Sequence, residues 1–269
     1  MASRTGIIRK LIDYYKLVNK HIRLIFDLKI RNIPKLLKFF KSYQNYKHLT
    51  NAEKLNILDF YPCLNDDTYK TPFDAHYFYQ GVWAYKKIKD SKVKTHVDVG
   101  SDVKWIGLLS VIAKVIFIDI RPFITDLEDL IVKKGNILNM PFEDNSVESL
   151  SCLHVAEHIG LGRYGDELYP EGTKKACSEL QRILAVNGDL YFSVPVGEQK
   201  TYFNAHRVHS PKTIIEYFKD LKLIELSGVT DKSQFIKNIN SNLLENSKYA
   251  CGLFWFKKEK QDIRQVDKK

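Results

Sequence analysis

The segment His154-Val-Ala-Glu157-His158 brings two imidazoles and a carboxylate close together in the chain. At positions i, i+3 and i+4 on the opening turn of a helix, these three side chains would share one face. Three interpretations of the cluster stay open. It could be an inverted zinc-hydrolase motif, H-x-x-E-H, in which both histidines bind zinc and Glu157 is the base. It could serve only to cap or pack the chain locally, or it could be the catalytic cluster of another class of enzyme.

A second group of residues favours nucleotide binding. Asp98-x-Gly100 is followed nineteen residues later by Asp119. In a nucleotide-binding α/β sheet, the glycine lets the backbone approach the ligand, and an acid about 20 residues further on binds the ribose hydroxyls. A dinucleotide also needs a G-x-G-x-x-G turn, whereas here Ser101 and Asp102 follow the glycine and would put a carboxylate at the phosphate position. The pattern predicts a cofactor without phosphate, S-adenosylmethionine, and a zinc hydrolase would leave these residues unexplained.

These motifs resemble those of class I S-adenosylmethionine-dependent methyltransferases over about residues 90 to 260. The segments that carry the resemblance are, in chain order, Asp98-Val-Gly100, Asp119, Gly135-Asn136-Ile137, 141–148 (PFEDNSVE), 152–158 (CLHVAEH) and 179–188 (ELQRILAVNG). The chain departs from the family in having D-x-G-S for D-x-G-x-G, and Asn136 where an acid is common. The resemblance implies that the cofactor is bound by Asp98, Gly100, Ser101, Asp119, Ile120, Asn136 and Ile137.

A narrower resemblance covers the chain from about Tyr61 to Lys257. The segments 154–166 (HVAEHIGLGRYGD), 203–207 (FNAHR) and 249–254 (YACGLF) are similar to an uncharacterised family known only as a domain of unknown function. This resemblance supplies no acceptor.

The histidine cluster also resembles that of the metal-dependent 2′-O-methyltransferases of small RNAs, which carry E-x-x-E-H at the same place and a later histidine. The resemblance implies metal ligation by His154, Glu157, His158 and His206, with His209 as the alternative to His206. It also implies that His158, Glu157 and His206 are catalytic. A hydroxyl acceptor must lose its proton, and either a divalent ion or a neutral histidine can assist. Two histidines and a carboxylate suit Zn, Mn, Fe or Ni better than Mg.

The residues after the cluster form a glycine-rich loop that contains Gly160, Gly162 and Gly165. Loops at this edge of such a sheet hold acceptors. We therefore expect the acceptor to be bound by Arg163, Tyr164, Asp166 and Arg207, which suit a polar or anionic sugar. The alternative is an Arg–Asp pair that only stabilises the loop. Trp83 with Tyr77, Tyr79 and Tyr85 has helical spacing, which favours a core position over an acceptor platform.

Short apolar runs alternate with helix-length segments from about residue 73 onwards, which is typical of repeated βαβ units. Strands are predicted at 96–100, 115–119, 131–133, 146–155, 188–194, 223–226 and 252–256, and helices at 73–89, 106–113, 173–184 and 211–219. We expect an α/β fold, a Rossmann-like doubly wound sheet with an antiparallel last strand. The carboxyl ends of its strands would gather the candidate residues along one edge.

The positive charge of the chain belongs to its first fifth. The formal net charge is +10, and residues 1–50 contain twelve Lys and Arg against Asp13 and Asp27. Residues 7–26 have a helical apolar period with a basic opposite face, and a second helical stretch follows Pro34 at 35–41. We expect a basic amphipathic helical extension at 1–50 and a methyltransferase-like catalytic domain at 51–269. The extension could bind an anionic membrane surface or pack on the domain or a second subunit, and nucleic acid is an unlikely partner for the neutral remainder.

No apolar run reaches the roughly 18 residues of a spanning helix, no signal peptide is visible, and the four cysteines form no C-x-x-C pair. We therefore expect a cytoplasmic protein, peripheral on the membrane if the extension binds lipid. The expected function is O-methylation of a carbohydrate or of a polysaccharide or glycolipid intermediate. An RNA ribose O-methyltransferase and a non-catalytic binding protein are the alternatives. The acceptor's identity and the oligomeric state stay open.

Overall fold

The computed structural model describes residues 32–260, and these contribute to two compact units, Met1–Pro72 and Phe73–Lys269. The amphipathic helix expected at 7–26 lies outside the described residues. Among the described helices, none is long and apolar enough to cross a membrane.

The first unit contains helix α1 (Ile33–Lys47) and a 3-10 turn (Ile57–Asp59). Pro34 lies in the first turn of α1, where its missing N–H costs no helical hydrogen bond. The ring of Phe60 packs edge-on against Phe39 and Tyr43, with centroid distances of 5.5 and 4.7 Å. The chain that follows α1 therefore packs against the helix, and the two compact units divide after Pro72.

The second unit alternates strands and helices. Its strands are β1 (Thr95–Val99), β2 (Lys114–Asp119), β3 (Leu130–Lys134), β4 (Val147–Leu153), β5 (Leu184–Val196), β6 (Lys200–Tyr202), β7 (His206–Val208), β8 (Lys222–Val229), β9 (Phe235–Ile236) and β10 (Ala250–Lys257). Its helices are α2 (Ala75–Ser91), α3 (Val103–Leu109), α4 (Gly172–Ile183), α5 (Pro211–Tyr217) and α6 (Ser241–Glu245). A 3-10 turn covers Ala156–His158.

Eight strands form one sheet in the order β3-β2-β1-β4-β5-β10-β8-β9, and β6 pairs with β7 in a separate hairpin. The pairs from β3 to β5 are parallel, and β10 is antiparallel to both of its neighbours. This confirms the expected fold class, a Rossmann-like doubly wound α/β sheet with an antiparallel last strand. The last strand of the chain lies inside the sheet, because β8 and β9 are placed beyond it.

The strand order reverses between β1 and β4, since β2 and β3 continue to one side and β5 to the other. A crevice opens at such a point outside the carboxyl ends of the strands, and ligands bind there in open α/β sheets. Apolar cores cover the sheet: one includes Trp83 and Ile88 of α2, and the other includes Cys177 and Leu180 of α4.

The predicted elements differ from the structure in several places, and the short elements β9 and α6 were not predicted. Strand β5 runs through Pro195, which was expected to end it, and pairs that residue with Cys251 of β10. The hairpin β6–β7 was not predicted, because three-residue strands leave no clear period. The opening helical turn expected at His154–His158 is only the 3-10 turn Ala156–His158.

Candidate functional site

A pocket of about 530 Å³ lies at the reversal point of the sheet. Its walls come from the segments that leave the carboxyl ends of β1, β2 and β4, together with one side chain of α2. The lining residues are Tyr77, Gly100, Ser101, Asp102, Val103, Phe117, Asp119, Arg121, Phe123, Leu153, His154, His158 and Tyr164. The pocket has the size of a small-molecule site and the position expected for a nucleotide.

Gly100 makes the turn that leaves β1. Its φ of +67° is left-handed, and a Cβ there would lie 3.1 Å from Val155 Cγ1 and 3.7 Å from Asp119 Oδ2. The turn therefore requires glycine for its backbone angle and keeps the space beside the Asp119 carboxylate open. Asp119 ends β2, and its Oδ1 accepts a hydrogen bond from the backbone N–H of Arg121 at 2.6 Å.

Asp98 lies beneath this turn and is fully buried, and it is not among the residues that line the pocket. Its carboxylate accepts hydrogen bonds from the backbone N–H of Ser101 (3.1 Å), from Ser101 Oγ (2.7 Å) and from Ser151 Oγ. Burial raises the pKa of Asp98 to about 7, although these hydrogen bonds lower it. Asp98 is thus a positioning residue for the turn rather than a direct cofactor ligand.

The polar network continues into the sheet through His96. Its Nδ1 and Nε2 each lie 2.8 Å from a hydroxyl, those of Ser149 and Ser151. Burial lowers the pKa of His96 to about 3, so the ring is neutral and one of its nitrogens accepts a hydrogen bond. This histidine was not singled out from the sequence, and it is a structural partner of the Asp98 turn.

The remaining residues expected at the cofactor lie in different places. Ile137 is buried in the core, and Asn136 is exposed with its Oδ1 accepting from the N–H of Leu138. Neither they nor Ile120 line the pocket. The wall opposite the Gly100 turn is instead built by Arg121 and Phe123, which follow Asp119 in the chain. The Arg121 guanidinium lies 4.4 Å from the centroid of the Tyr164 ring, close enough for a cation–π contact.

The His154–Glu157–His158 cluster is brought together, but not on one face of a helix. His154 adopts a left-handed φ of +56° directly after β4, before the 3-10 turn begins. Its Nδ1 lies 3.0 Å from Glu157 Oε1, and His158 Nε2 lies 3.7 Å from the same oxygen. The backbone reversal at His154 therefore makes the contact that helical spacing was expected to make.

All three groups are perturbed by burial. Desolvation raises the pKa of Glu157 to about 8 and lowers the pKa of His154 to about 3. It also lowers the pKa of His158 to about 4, against a hydrogen bond from Nδ1 to the carbonyl of Ala205 at 2.6 Å that raises it. Both imidazoles are neutral at pH 7. Because the Nδ1–H of His158 donates to Ala205, its Nε2 carries the lone pair.

Of the two later histidines, His206 is the one near the cluster. Its ring centroid lies 6.5 Å from that of His158 and 5.0 Å from that of Tyr249, and its Nε2 is buried without a hydrogen-bond partner. His209 lies elsewhere, with Nε2 3.2 Å from Thr173 Oγ1 of α4.

The residues expected to bind the acceptor divide into two groups. Tyr164 lines the pocket, and Arg163 is exposed and donates to the carbonyl of Ala205 at 3.1 Å. Asp166 and Arg207 instead hold the loop. Asp166 accepts from the backbone N–H groups of Gly160 (2.7 Å), Gly162 (3.4 Å) and Tyr164 (3.2 Å).

Arg207 is buried and donates to the carbonyls of Ile159 (2.6 Å) and Tyr169 (3.3 Å). Its guanidinium is directed to backbone oxygens on both sides of the loop, so the acceptor contact expected for Arg207 is not what the structure shows. The alternative interpretation was an Arg–Asp pair that stabilises the loop. In the structure, Arg207 and Asp166 both hydrogen-bond to backbone groups of the loop rather than to each other.

The four expected metal ligands do not form a common ligand set in the structure. Glu157 Oε1 is already used by His154 Nδ1, which leaves Nε2 as the free ring nitrogen of His154. Among the described residues, the group whose ligand atoms all lie within 4.8 Å of one another is His76, His154 and Cys251. The function proposed for the pocket therefore assigns no role to a metal held by His154, Glu157, His158 and His206.

Sequence reasoning missed several residues of the pocket wall, namely Tyr77, Val103, Phe117, Arg121, Phe123 and Leu153. Arg121 and Phe123 could have been predicted as pocket residues, because they follow directly after the strand that ends at Asp119. Tyr77 was predicted as core; it reaches the pocket because Asp74 caps α2 and fixes its first turn at the cavity.

A larger pocket of about 900 Å³ lies at the other edge of the sheet, near Lys94, Thr95, Ser146 and Gly188. These residues precede or begin parallel strands, or stand at the turn within β5. We assign the functional site to the smaller pocket, because helix N-termini and strand carboxyl ends meet only at that edge.

Residues 136–251 match the family described as "Caenorhabditis protein of unknown function, DUF268". No curated protein has a significantly similar sequence. Solved structures with a similar fold include the YcgJ protein of Bacillus subtilis (13% identity, 68% of this chain and 100% of that chain, TM-score 0.47). Another is N-methyltransferase NodS of Bradyrhizobium japonicum in complex with S-adenosyl-L-homocysteine (14%, 74% and 92%, TM-score 0.48). A third is the 1,6-didemethyltoxoflavin-N1-methyltransferase of Burkholderia thailandensis (9%, 71% and 93%, TM-score 0.49).

Proposed function

We propose that this protein is an S-adenosylmethionine-dependent methyltransferase that transfers a methyl group to an oxygen atom. The observation that carries the proposal is the pocket at the reversal point of the sheet, where the left-handed Gly100 turn faces the Asp119 carboxylate. A carboxylate at the end of β2 is placed to accept hydrogen bonds from both hydroxyls of a ribose. The absent Cβ at Gly100 lets the ribose approach the backbone.

The start of helix α3 supports a cofactor without phosphate. The side chain of Asp102 caps this helix, and its Oδ1 accepts from the backbone N–H groups of Lys104 (2.9 Å) and Trp105 (3.3 Å). In dinucleotide-binding folds these N–H groups bind the pyrophosphate. Here a carboxylate occupies them and would repel a phosphate, whereas a sulfonium cation has no such conflict.

His158 supplies the chemistry for an oxygen acceptor. Its Nε2 carries a lone pair, and the residue lines the pocket. Bound S-adenosylmethionine would supply the methyl group, and His158 Nε2 would accept the proton that the acceptor hydroxyl loses as its oxygen is methylated. The lowered pKa of His158 keeps the imidazole unprotonated and able to accept that proton at pH 7.

We further propose that the methyl acceptor is a carbohydrate, or a polysaccharide or glycolipid intermediate. Tyr77 and Tyr164 offer aromatic faces in the pocket, and the exposed Arg163 lies at its edge, a combination that suits a polar sugar. An RNA ribose is the second candidate. It is disfavoured because residues 51–269 contain thirty acidic and thirty basic residues. A domain with no net charge gives little electrostatic attraction for a polyanion such as RNA.

Calorimetry with S-adenosylmethionine and S-adenosylhomocysteine tests the enzyme hypothesis. We expect binding by the native chain, loss of binding in Asp119→Ala, and native affinity in the control Asp126→Ala, an exposed acid further along the same loop. Absence of binding at roughly millimolar cofactor, a weak limit on the affinity scale, would refute the proposal and leave a non-catalytic protein of this fold.

Turnover separates the acceptor chemistry from cofactor binding. His158→Ala is expected to keep the affinity for the cofactor and to lose methyl transfer. Mass spectrometry of polysaccharides, glycolipids and RNA, from cells with and without the gene, should show loss of a single-methyl increment in a carbohydrate. Loss confined to RNA ribose would favour the second candidate.

We also propose that residues 1–50 attach the protein to anionic membranes, through the net charge of +10 in this segment. Flotation with vesicles containing phosphatidylserine should recover the full chain but not a chain that starts at residue 51. Equal recovery of both would assign the basic segment to packing on the protein itself.

A further inference from the structure

Three side chains from distant parts of the second unit meet behind the pocket wall. His76 lies in the first turn of α2, His154 follows β4, and Cys251 lies in β10. One ring nitrogen of each histidine and the Cys251 sulfur all lie within 4.8 Å of one another. His154 and Cys251 are buried, and His76 is largely so. The cluster plays no part in the cofactor contacts or the proton transfer described above.

His154 provides a second, independent observation. Its side chain is 3% exposed, its Nδ1 is bonded to Glu157, and its Nε2 has no hydrogen-bond partner. A buried polar nitrogen without a partner is costly, by about 1–3 kcal/mol, and native proteins rarely leave one. An electron-pair acceptor at the centre of the three side chains would remove this cost.

We propose that His76, His154 and Cys251 bind one zinc-type transition-metal ion. Two imidazoles and a thiolate are the donors that zinc takes, at about 2.0–2.1 Å for nitrogen and about 2.3 Å for sulfur. His76 and His154 lie beside each other with ring centroids 5.5 Å apart, and one ring nitrogen of each lies within 4.8 Å of the Cys251 sulfur. The ligand atoms need to move together by only about an ångström to reach tetrahedral spacing.

The surroundings of the three ligands fit an ion. Glu157 Oε1 accepts from His154 Nδ1–H, which fixes the tautomer with the lone pair on Nε2, as carboxylates do for metal-bound histidines. Asp74 caps α2 through the backbone N–H of His76, and the Tyr249 ring stacks on the other side of His76 at 5.2 Å. The Cys251 thiol releases its proton on binding. The Cys251 thiolate would then offset one of the two charges of a divalent ion.

The ion would join three elements that the chain brings together only by folding: α2, the turn after β4, and β10. Since His154 also lines the cofactor pocket, the ion would hold that wall in place. This role does not depend on the proposed methyl transfer. The fourth coordination position is left for water or for a ligand that enters the pocket.

Metal binding is measured on the full chain with Zn²⁺ and Co²⁺ as probes. We expect one equivalent of zinc by elemental analysis after dialysis. The cobalt form should show a thiolate-to-metal charge-transfer band in the near ultraviolet. Zinc should also raise the melting temperature, because it binds only the folded state.

Cys251→Ser should remove the charge-transfer band, and His76→Gln, a change at a partly exposed helical position, should weaken zinc binding by about 10-fold or more. Cys177→Ser is the matched control: its sulfur is equally buried, in the other core, and the band should persist. Folding of each variant is checked by circular dichroism.

The proposal is overturned if the folded native chain binds neither ion, or if the band survives in Cys251→Ser or disappears in Cys177→Ser. Asp119→Ala separates the two sites, since it should lose the cofactor and keep the metal.

Discussion

Replacement of Gly100 by alanine tests how the turn after β1 serves the cofactor. The left-handed φ of +67° is unfavourable for any residue with a Cβ, by about 1–2 kcal/mol. The new methyl would also lie 3.1 Å from Val155 Cγ1 and 3.4 Å from Cγ2. Moving the Val155 side chain off its rotamer costs about 0.5–1.5 kcal/mol more. Together these terms predict a loss of about 2–3 kcal/mol in the free energy of unfolding.

The loss is visible in thermal unfolding. A domain of 150–250 residues shifts its melting temperature by roughly 2–4 °C for each kcal/mol, so Gly100→Ala should melt about 4–12 °C below the native protein. Gly107→Ala is the matched control. Gly107 lies in α3, a Cβ there would meet nothing within 4 Å, and alanine favours a helix over glycine by about 1 kcal/mol. The control should melt at or above the native temperature.

The same methyl group would lie 3.7 Å from Asp119 Oδ2, in the space that the ribose needs. We expect the affinity of Gly100→Ala for S-adenosylmethionine to fall by about 10-fold or more, equivalent to about 1.4 kcal/mol, and that of Gly107→Ala to stay unchanged. Calorimetry at a temperature where both variants are folded measures the difference. Unchanged cofactor affinity in Gly100→Ala would refute the placement of the ribose over this turn, and an unchanged melting temperature would refute the strain argument.

Two further predictions concern positioning residues. The pKa of Asp98 is raised to about 7 in the folded protein, from about 3.9 in the unfolded chain. Between these two pH values the folded protein holds a proton on Asp98 that the unfolded chain has lost. The free energy of unfolding therefore falls as pH rises from about 4 to about 7. Asp98→Asn lacks this titration, so its free energy of unfolding, measured with urea, should rise relative to that of the native protein between about pH 4 and 7 and differ by a constant amount above pH 7. A difference in unfolding free energy that does not vary with pH would contradict the burial argument. Arg207→Lys should lose the hydrogen bond to the carbonyl of Ile159 or Tyr169 and destabilise the protein by about 1–3 kcal/mol. Backbone hydrogen exchange in residues 160–170 should then be faster. The exposed control Arg163→Lys should change neither the stability nor the exchange rates. Hydrogen-exchange rates in Arg207→Lys equal to those of the native protein would contradict the loop-stabilising role of Arg207 and favour the acceptor-binding role.

Local patterns predicted the architecture well. The strands β1, β2, β3 and β4 were predicted to within a few residues, because alternating apolar runs bounded by turn residues depend on short-range preferences. Gly100 and Asp119 were expected at one edge of the sheet, because parallel strands bring their carboxyl ends together, and they lie side by side there. Where the pattern was short, as in the three-residue strands of the hairpin β6–β7, no strand was predicted.

The direction in which a side chain points was decided by the tertiary structure. Asp98 belongs to the expected motif, but buried hydroxyls of Ser101 and Ser151 draw its carboxylate under the turn. Arg207 was expected at the acceptor, but the unpaired carbonyls of a folded loop bind its guanidinium. Hydrogen-bond partners of buried groups come from distant segments, and helical or strand periodicity carries no information about them.

The sequence by itself determined the doubly wound α/β sheet and the glycine turn after its first strand, because apolar periodicity and turn residues depend on short-range preferences. Only the tertiary structure decided how the histidines are used. His154 contacts Glu157 of the expected group and also lies beside His76 and Cys251, which come from α2 and β10. Such a contact depends on the sum of long-range packing and not on any local spacing.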